Sequence, residues 1–341
     1  MTAEGTRPDT LRGYQPDEAG AWDDLVARSV NGTMLHTRRF LGYHGDRFSD
    51  QSLVVTNPRG WPIGVFPAAH DPADPEVVTS HPGMTYGGLV HDGSLHGASM
   101  MRVLGEIADE YRRRGFTRLR YKAVPAIYQS APAADDEHAL FRLGATRYRC
   151  DLAAAINLAQ RGRVWSSRRQ RRRRAEAAGV RTAESWDDVA AYWGILEANL
   201  GSRHGARPTH SLAEIESLRD RFPKEIILVT ATIGDDLVAG NLFFAEGPVL
   251  YQRYTASTDE GRKMSATDLV VEHGVALAGE RGCRFYSFGT STLDEGRQLN
   301  GPQYDYKISF GAGGVTHDHY ELDLRSVPAA QQAAEPAPDV R

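Results

Sequence analysis

The feature that most constrains this chain is an internal echo. Arg47-Phe48 is followed by the apolar, β-branched run Ser52-Leu53-Val54-Val55-Thr56, a turn, and Ile63-Gly64-Val65-Phe66. Arg221-Phe222 is followed by Ile226-Ile227-Leu228-Val229-Thr230, a turn at Gly234-Asp235-Asp236, and Ala239-Gly240-Asn241-Leu242-Phe243-Phe244. Each run reads as a β-hairpin, because apolar β-branched residues flank turn formers. Further on, Met101–Arg114 has helical periodicity and is followed by Gly115 and the strand-like Phe116–Tyr121. Thr267–Arg281 repeats this with Gly282 and Cys283–Phe288. A glycine at that point suits a helix C-cap, where positive φ is needed. Two copies of hairpin, helix and strand predict a duplicated α/β unit rather than a solenoid.

The rest of the sequence divides around that duplication. The chain has 341 residues, enough for two ordinary domains. Residues 1–20 are expected to be a flexible N-terminus, 21–157 a first domain and 158–180 a basic interdomain helix. Residues 181–325 are expected to be a second, catalytic domain, and 326–341 an Ala/Pro/Gln-rich disordered tail. Asp151–Ile156 reads as the strand that closes the first half. No apolar run reaches the roughly 18 residues of a membrane span, and the polar start lacks a secretory pattern, so a cytoplasmic protein without a membrane partner is expected. The two cysteines, Cys150 and Cys283, have neither disulfide-framework nor zinc spacing, and no metal site is expected.

Charge narrows the partners. The formal net charge is −4, which argues against a chain that binds DNA through overall basicity. Of 40 basic residues only four are lysine: Lys122, Lys224, Lys263 and Lys307. The arginines therefore reflect compositional bias in part, and each lysine carries more information. Arg168, Arg169, Arg171, Arg172, Arg173 and Arg174 nonetheless cluster on one predicted helix. They suit a solvated helix, or a donor's phosphates with Arg168 and Arg172 as contacts. The loop Thr258–Ala266 precedes the second long helix, and Ser265 and Asp268 have capping-box spacing. A helix N-terminus there, with Arg262, Lys263 and Ser265, could hold a phosphate; an ordinary capped helix explains the same residues.

Lys307 stands in an aromatic setting of Tyr304, Tyr306 and Phe310. A lysine there can stabilise the oxyanion of a tetrahedral intermediate, or can snorkel past the rings to solvent. No Ser-His-Asp or Cys-His arrangement is visible, so direct attack without an acyl-enzyme is expected.

The ending Gly282-Cys283-x-x-Tyr286-x-Phe288-Gly289, then Lys307-x-x-Phe310-Gly311 and Tyr320-x-Leu322-x-Leu324, resembles the FemABX aminoacyl transferases. It is similar as well to FemAB-like acyltransferases of the GNAT superfamily. Ala175–Val180 looks like their interdomain segment. The resemblance implies tandem GNAT-like domains, mixed sheets flanked by helices, a cleft between the halves and a last strand free to return to the first domain. It implies acyl transfer to a primary amine, with Lys307 and Phe310 at the reacting acyl group. Asp305 is the first choice for a base, ahead of Asp294, His317 and His319. Tyr254, Ser287, Thr290 and Tyr304 are the acceptor candidates.

The chain departs from the FemABX pattern in lacking a helical coiled arm, in its degenerate phosphate loop and in Ser287 after the strand. A small-molecule amine of a specialised biosynthetic pathway is therefore expected as acceptor. No tightly bound cofactor is expected. Aminoacyl-tRNA is slightly favoured as donor, with acyl-CoA or a carrier protein's acyl group as the alternative. A non-catalytic GNAT-like ligand-binding protein is the rival class, and RNA binding through 168–174 alone a third reading.

Overall fold

The computed structural model describes residues 9–327. The described residues divide into two units, 9–150 with 317–327, and 151–316.

Unit one begins with β1 (Thr10–Gly13), α1 (Ala19–Arg28) and α2 (Arg38–Leu41), then β2 (Leu53–Thr56), β3 (Pro62–Phe66), β4 (Ala69–Asp71), β5 (Asp74–Thr79) and β6 (Val90–His91). It continues with α3 (Gly97–Arg113), β7 (Arg118–Lys122) and α4 (Asp135–Arg142). The expected flexible N-terminus is corrected from Thr10 onward: β1 pairs antiparallel with β2, Thr10 opposite Thr56 and Gly13 opposite Leu53. Backbone pairing to a preformed edge orders a segment that its own polar sequence would not. Residues 328–341 of the expected tail lie outside the described residues.

Strand β8 (Thr146–Asn157) leads into unit two. There follow α5 (Ser166–Ala177), β9 (Val180–Glu184), α6 (Val189–His204), α7 (Leu212–Arg221), β10 (Ile226–Ile233), β11 (Asp236–Glu246) and β12 (Val249–Ser257). Then come α8 (Asp259–Met264), α9 (Ala266–Glu280), β13 (Phe285–Thr290), β14 (Thr292–Leu293), β15 (Gln298–Leu299), α10 (Gly301–Ile308) and β16 (Gly313–Asp323).

The predicted echo is present in the pairing. In unit one β2 and β3 form the hairpin, β5 runs parallel to β7, and β7 is antiparallel to β16. In unit two β10 and β11 form the hairpin, β12 runs parallel to β13, and β13 is antiparallel to β8. The parallel connections pass through α3 and α9, as a crossover requires. Ala153–Asn157 pairs with β13 of unit two, so the strand expected to close the first half serves the second. The first unit takes its corresponding strand from His319–Asp323.

Each helix buries the face its sequence marks. On α3 the buried residues Met100, Val103, Leu104, Ile107, Ala108 and Tyr111 recur at helical spacing. On α9 they are Val270, Val271, Gly274, Leu277 and Ala278. Each fully buried aliphatic or aromatic side chain contributes roughly 1.5–3 kcal/mol, so the two cores dominate the stability. Gly274 packs so closely that a Cβ would sit 2.5 Å from Phe243 Cζ. Gly115 and Gly282, with φ of 93° and 73°, follow their helices as expected.

Helix α5 is part of unit two rather than a free connector. Only Ala175 is buried along it, while Arg169 and Arg171–Arg174 are exposed.

Candidate active site in the second unit

The site starts from a divergence of strands. β12 pairs with β13 only through Val249, Leu250 and Tyr251, although β12 stays paired to β11 as far as Ser257. Two irregularities sit at the parting. In β12, Arg253 is an extra residue between Gln252, opposite Phe243, and Tyr254, opposite Leu242. Such a bulge bends a strand and re-aims its side chains. In β13, Gly289 takes φ of 72°, and a Cβ there would meet the Tyr251 ring at 2.9 Å. Only glycine accommodates both demands.

The opened wedge holds a cavity of about 680 Å³. Its lining comes from β12, α6, the α8–α9 junction, the end of β13, α10 and Arg171 of α5, all within unit two. In unit one the corresponding wedge is taken by the chain itself. Ser80 N–H donates to Arg120 O at 2.8 Å and Gly87 N–H to Lys122 O at 3.0 Å. Lys122 Nζ then ties down the carbonyls of His81, Pro82 and Met84 at 3.1, 3.2 and 2.8 Å.

Lys307 lines the cavity of unit two from α10 and is 4% exposed, so it does not snorkel to solvent. Its Nζ donates to Gly289 O at 2.9 Å and Thr290 O at 2.6 Å. An ammonium has three donors, and two are used. Burial pushes its pKa down to about 8, so the cation persists at neutral pH and is lost just above it.

Several expected site residues lie elsewhere. Asp305 is exposed and outside the cavity lining; two residues apart on one helix, it and Lys307 point apart. Phe310 is fully buried, its ring 5.6 Å from Phe288 and 5.2 Å from Tyr306; it shapes the floor behind Lys307 rather than lining the cavity. Arg168 does not line the cavity. Its Nη1 meets Asp268 Oδ1 at 3.1 Å, its Nε donates to Ser309 Oγ at 2.7 Å, and its guanidinium lies 4.4 Å from the Tyr306 ring centre. Arg172 is exposed and pairs with Glu176 one turn on. Lys263 is exposed, and Ser287 is buried; neither lines the cavity, nor does Tyr304.

Arg262, Ser265, Tyr254 and Thr290 do line it. The capping box does not form: Ser265 has φ of 63°, its side chain makes no cap, and Asp268 turns inward to Arg168. Thr258–Ala266 holds the short helix α8, capped by Thr258 Oγ1 accepting from Gly261 N–H at 3.0 Å. Arg262 is held by Asp259 and the Ser257 carbonyl. Tyr254 O–H contacts His210 Nδ1 at 2.7 Å.

Sequence reading missed Arg171, Gln252, Arg253, Thr255 and Tyr306, which all line the cavity. An arginine inside the apolar run Val249–Tyr254 was the available signal. Three buried polar atoms of the lining have no hydrogen-bond partner: Arg253 Nε, Thr255 Oγ1 and Tyr306 Oη. The lining's cations are Arg171, Arg253, Arg262 and Lys307, against the carboxylate of Asp268, which Arg168 already answers. Among the described residues no helix is long and apolar enough to cross a membrane.

Comparison with known proteins bears on the fold. Residues 163–307 match the model of the acetyltransferase (GNAT) domain, a span that begins before α5 and ends on Lys307. The fold is similar to that of the solved structure of FemX, with a TM-score of 0.66 at 12% identity, covering 95% of this chain and 98% of that one. It is similar to the C-terminal domain of a putative lysylphosphatidylglycerol synthetase from Agrobacterium fabrum, with a TM-score of 0.60 at 9% identity over 93% and 96% of the two chains. A tandem GNAT protein from the clavulanic acid biosynthesis pathway gives 0.50 at 12% identity over 93% and 98%. No curated protein matches.

Proposed function

We propose, for a chain whose residues 163–307 match the acetyltransferase (GNAT) domain model and whose fold is similar to that of FemX, transfer of an activated acyl or aminoacyl group to the amine of a small molecule. The observation that carries this reading is Lys307, a buried ammonium with one uncommitted donor on a cavity where two strands part. A neutral amine attacks the acyl carbonyl, and the new C–N bond leaves negative charge on the carbonyl oxygen. Lys307 stabilises that charge, the ester or thioester bond breaks, and the amine's proton leaves with the departing oxygen or sulfur. A preorganised donor of this kind is worth roughly 10²–10³ in rate.

Aminoacyl-tRNA stays slightly favoured as donor. The exposed arginines of α5 offer a phosphate-binding face, and Arg171 joins that face to the cavity. Acyl-CoA or a carrier-bound acyl group is the alternative, supported by the α9 N-terminus. Ser265 there makes no side-chain cap, which leaves backbone N–H groups for a phosphate. A cytoplasmic setting and a specialised biosynthetic pathway complete the reading.

The test is amide formation with a panel of amines, run separately with charged tRNA, acyl-CoA and carrier-bound acyl groups. RNase treatment should abolish turnover if tRNA is the donor and leave it intact otherwise. Lys307→Ala should lose turnover while ligands still bind. Turnover unaffected by that change would overturn the role of Lys307, and a protein that binds every ligand yet transfers nothing would favour the sensor reading.

A further inference from the structure

Three of the four cations on the cavity are accounted for. Lys307 is tied to two carbonyls, Arg262 to Asp259, and Arg171 lies on an exposed helix. Arg253 differs. It is the bulged residue of β12, its guanidinium lies 5.0 Å from the Tyr254 ring centre, and among the described residues no carboxylate forms an ion pair with it. Its Nε is buried and lacks an acceptor, and so does the nearby Thr255 hydroxyl on the same strand and cavity. Tyr251 and Glu246 already favour the charge of this half-buried cation, but a buried Nε with no acceptor still costs stability unless something meets it. A planar guanidinium fork matches a carboxylate, which a neighbouring hydroxyl can also serve.

We propose that Arg253 and Thr255 form a carboxylate subsite, so that the small substrate held beside Lys307 carries a carboxylate of its own. This rests on the transfer reading for what the subsite is for, but not for whether it binds. The carboxylate has two possible sources: an amino-acid-like acceptor, or an acyl group derived from a dicarboxylic acid.

The experiment is calorimetric titration of the full chain with matched probes. One arm uses amino acids against their carboxamides and decarboxylated amines. The other uses succinyl-CoA against butyryl-CoA. In the arm that matches the source, the carboxylate form should bind about tenfold or more tightly. Arg253→Met should erase that preference, Thr255→Val should reduce it several-fold, and Lys307→Ala should keep it. Circular dichroism and the melting temperature show whether each variant is folded, and Arg253→Lys is the substitute should the methionine variant fail. A lysine there should recover only part of the preference, since it lacks the fork.

Equal binding of every matched pair, absence of carboxylate-dependent binding up to tens of millimolar, or a preference that survives in folded Arg253→Met or is undiminished in folded Arg253→Lys would each overturn the subsite. Because no donor turnover is read, these outcomes are separate from failure of the transfer assay.

Discussion

Arg168 reaches across from α5 to place its Nη1 3.1 Å from the Asp268 carboxylate on α9, with the two side chains only 11% and 5% exposed. The pair ties α5 to α9, while Arg168 Nε ties both to Ser309 just beyond α10. Three elements that frame the cavity therefore share one guanidinium.

Removing that guanidinium should cost stability. Burial already raises the Asp268 pKa while Arg168 lowers it, so the carboxylate depends on its partner. Arg168→Met should destabilise by about 3–5 kcal/mol, the usual cost of orphaning a buried charge. Arg168→Met combined with Asp268→Leu should recover much of the loss. Chemical denaturation measures both, and a single-variant cost below about 1 kcal/mol would show the pair to be dispensable.

Turnover should fall as pH rises through about 8, where Lys307 loses its proton. Lys307→Arg should move that limb to higher pH, because a guanidinium keeps its charge. The same group acts on stability with a definite sign. Between about 8 and the ordinary 10.5, the unfolded chain holds a proton that the folded chain has released. Stability from this group therefore rises with pH across that window, and Lys307→Met should flatten the rise. A pH–rate profile and unfolding curves at several pH values check the two parts.

Acid should weaken unit one through His36. Its Nδ1 accepts from Thr33 N–H at 3.0 Å and its Nε2 meets Gly87 O at 3.1 Å, an arrangement that fits the neutral ring. Burial lowers its pKa from 6.5 to about 4. The unfolded chain binds the extra proton in that range, so stability falls as pH drops from 6.5 toward 4. Asp136, raised to about 6 by burial, acts in the opposite sense over an overlapping range. The difference between the parent and His36→Gln isolates the histidine, and should change by up to about 3 kcal/mol over the window. A constant difference would show that His36 does not titrate as described.

Two glycines on α9 should respond oppositely to alanine. At Gly274 the added Cβ would meet Phe243 Cζ at 2.5 Å and Tyr286 Cε2 at 2.8 Å, whereas Gly279 has open space. Gly274→Ala should destabilise by about 1–3 kcal/mol through overpacking. Gly279→Ala should stabilise by about 0.4–1 kcal/mol, by restricting the unfolded chain. Thermal melts of the two variants give the comparison, and equal shifts would contradict the packing described at Gly274.

What the sequence determined was local and periodic. The apolar runs 52–56 and 226–230, the periodic faces of α3 and α9, and the glycines after them mark hairpin, helix and strand in each half, because side-chain period and turn chemistry act over a few residues. The motif around Lys307 marked that lysine too. Tertiary structure decided the rest. Arg168 became a buried staple, and Asp305 fell on the far side of its helix. Arg253 was brought to the cavity by a bulge that no local pattern announces. Ala153–Asn157 joined unit two instead of closing the first, since strand partners are set by long-range pairing. Ionic partners and strand register depend on groups far apart in the chain, and only the packed fold brings those groups within reach.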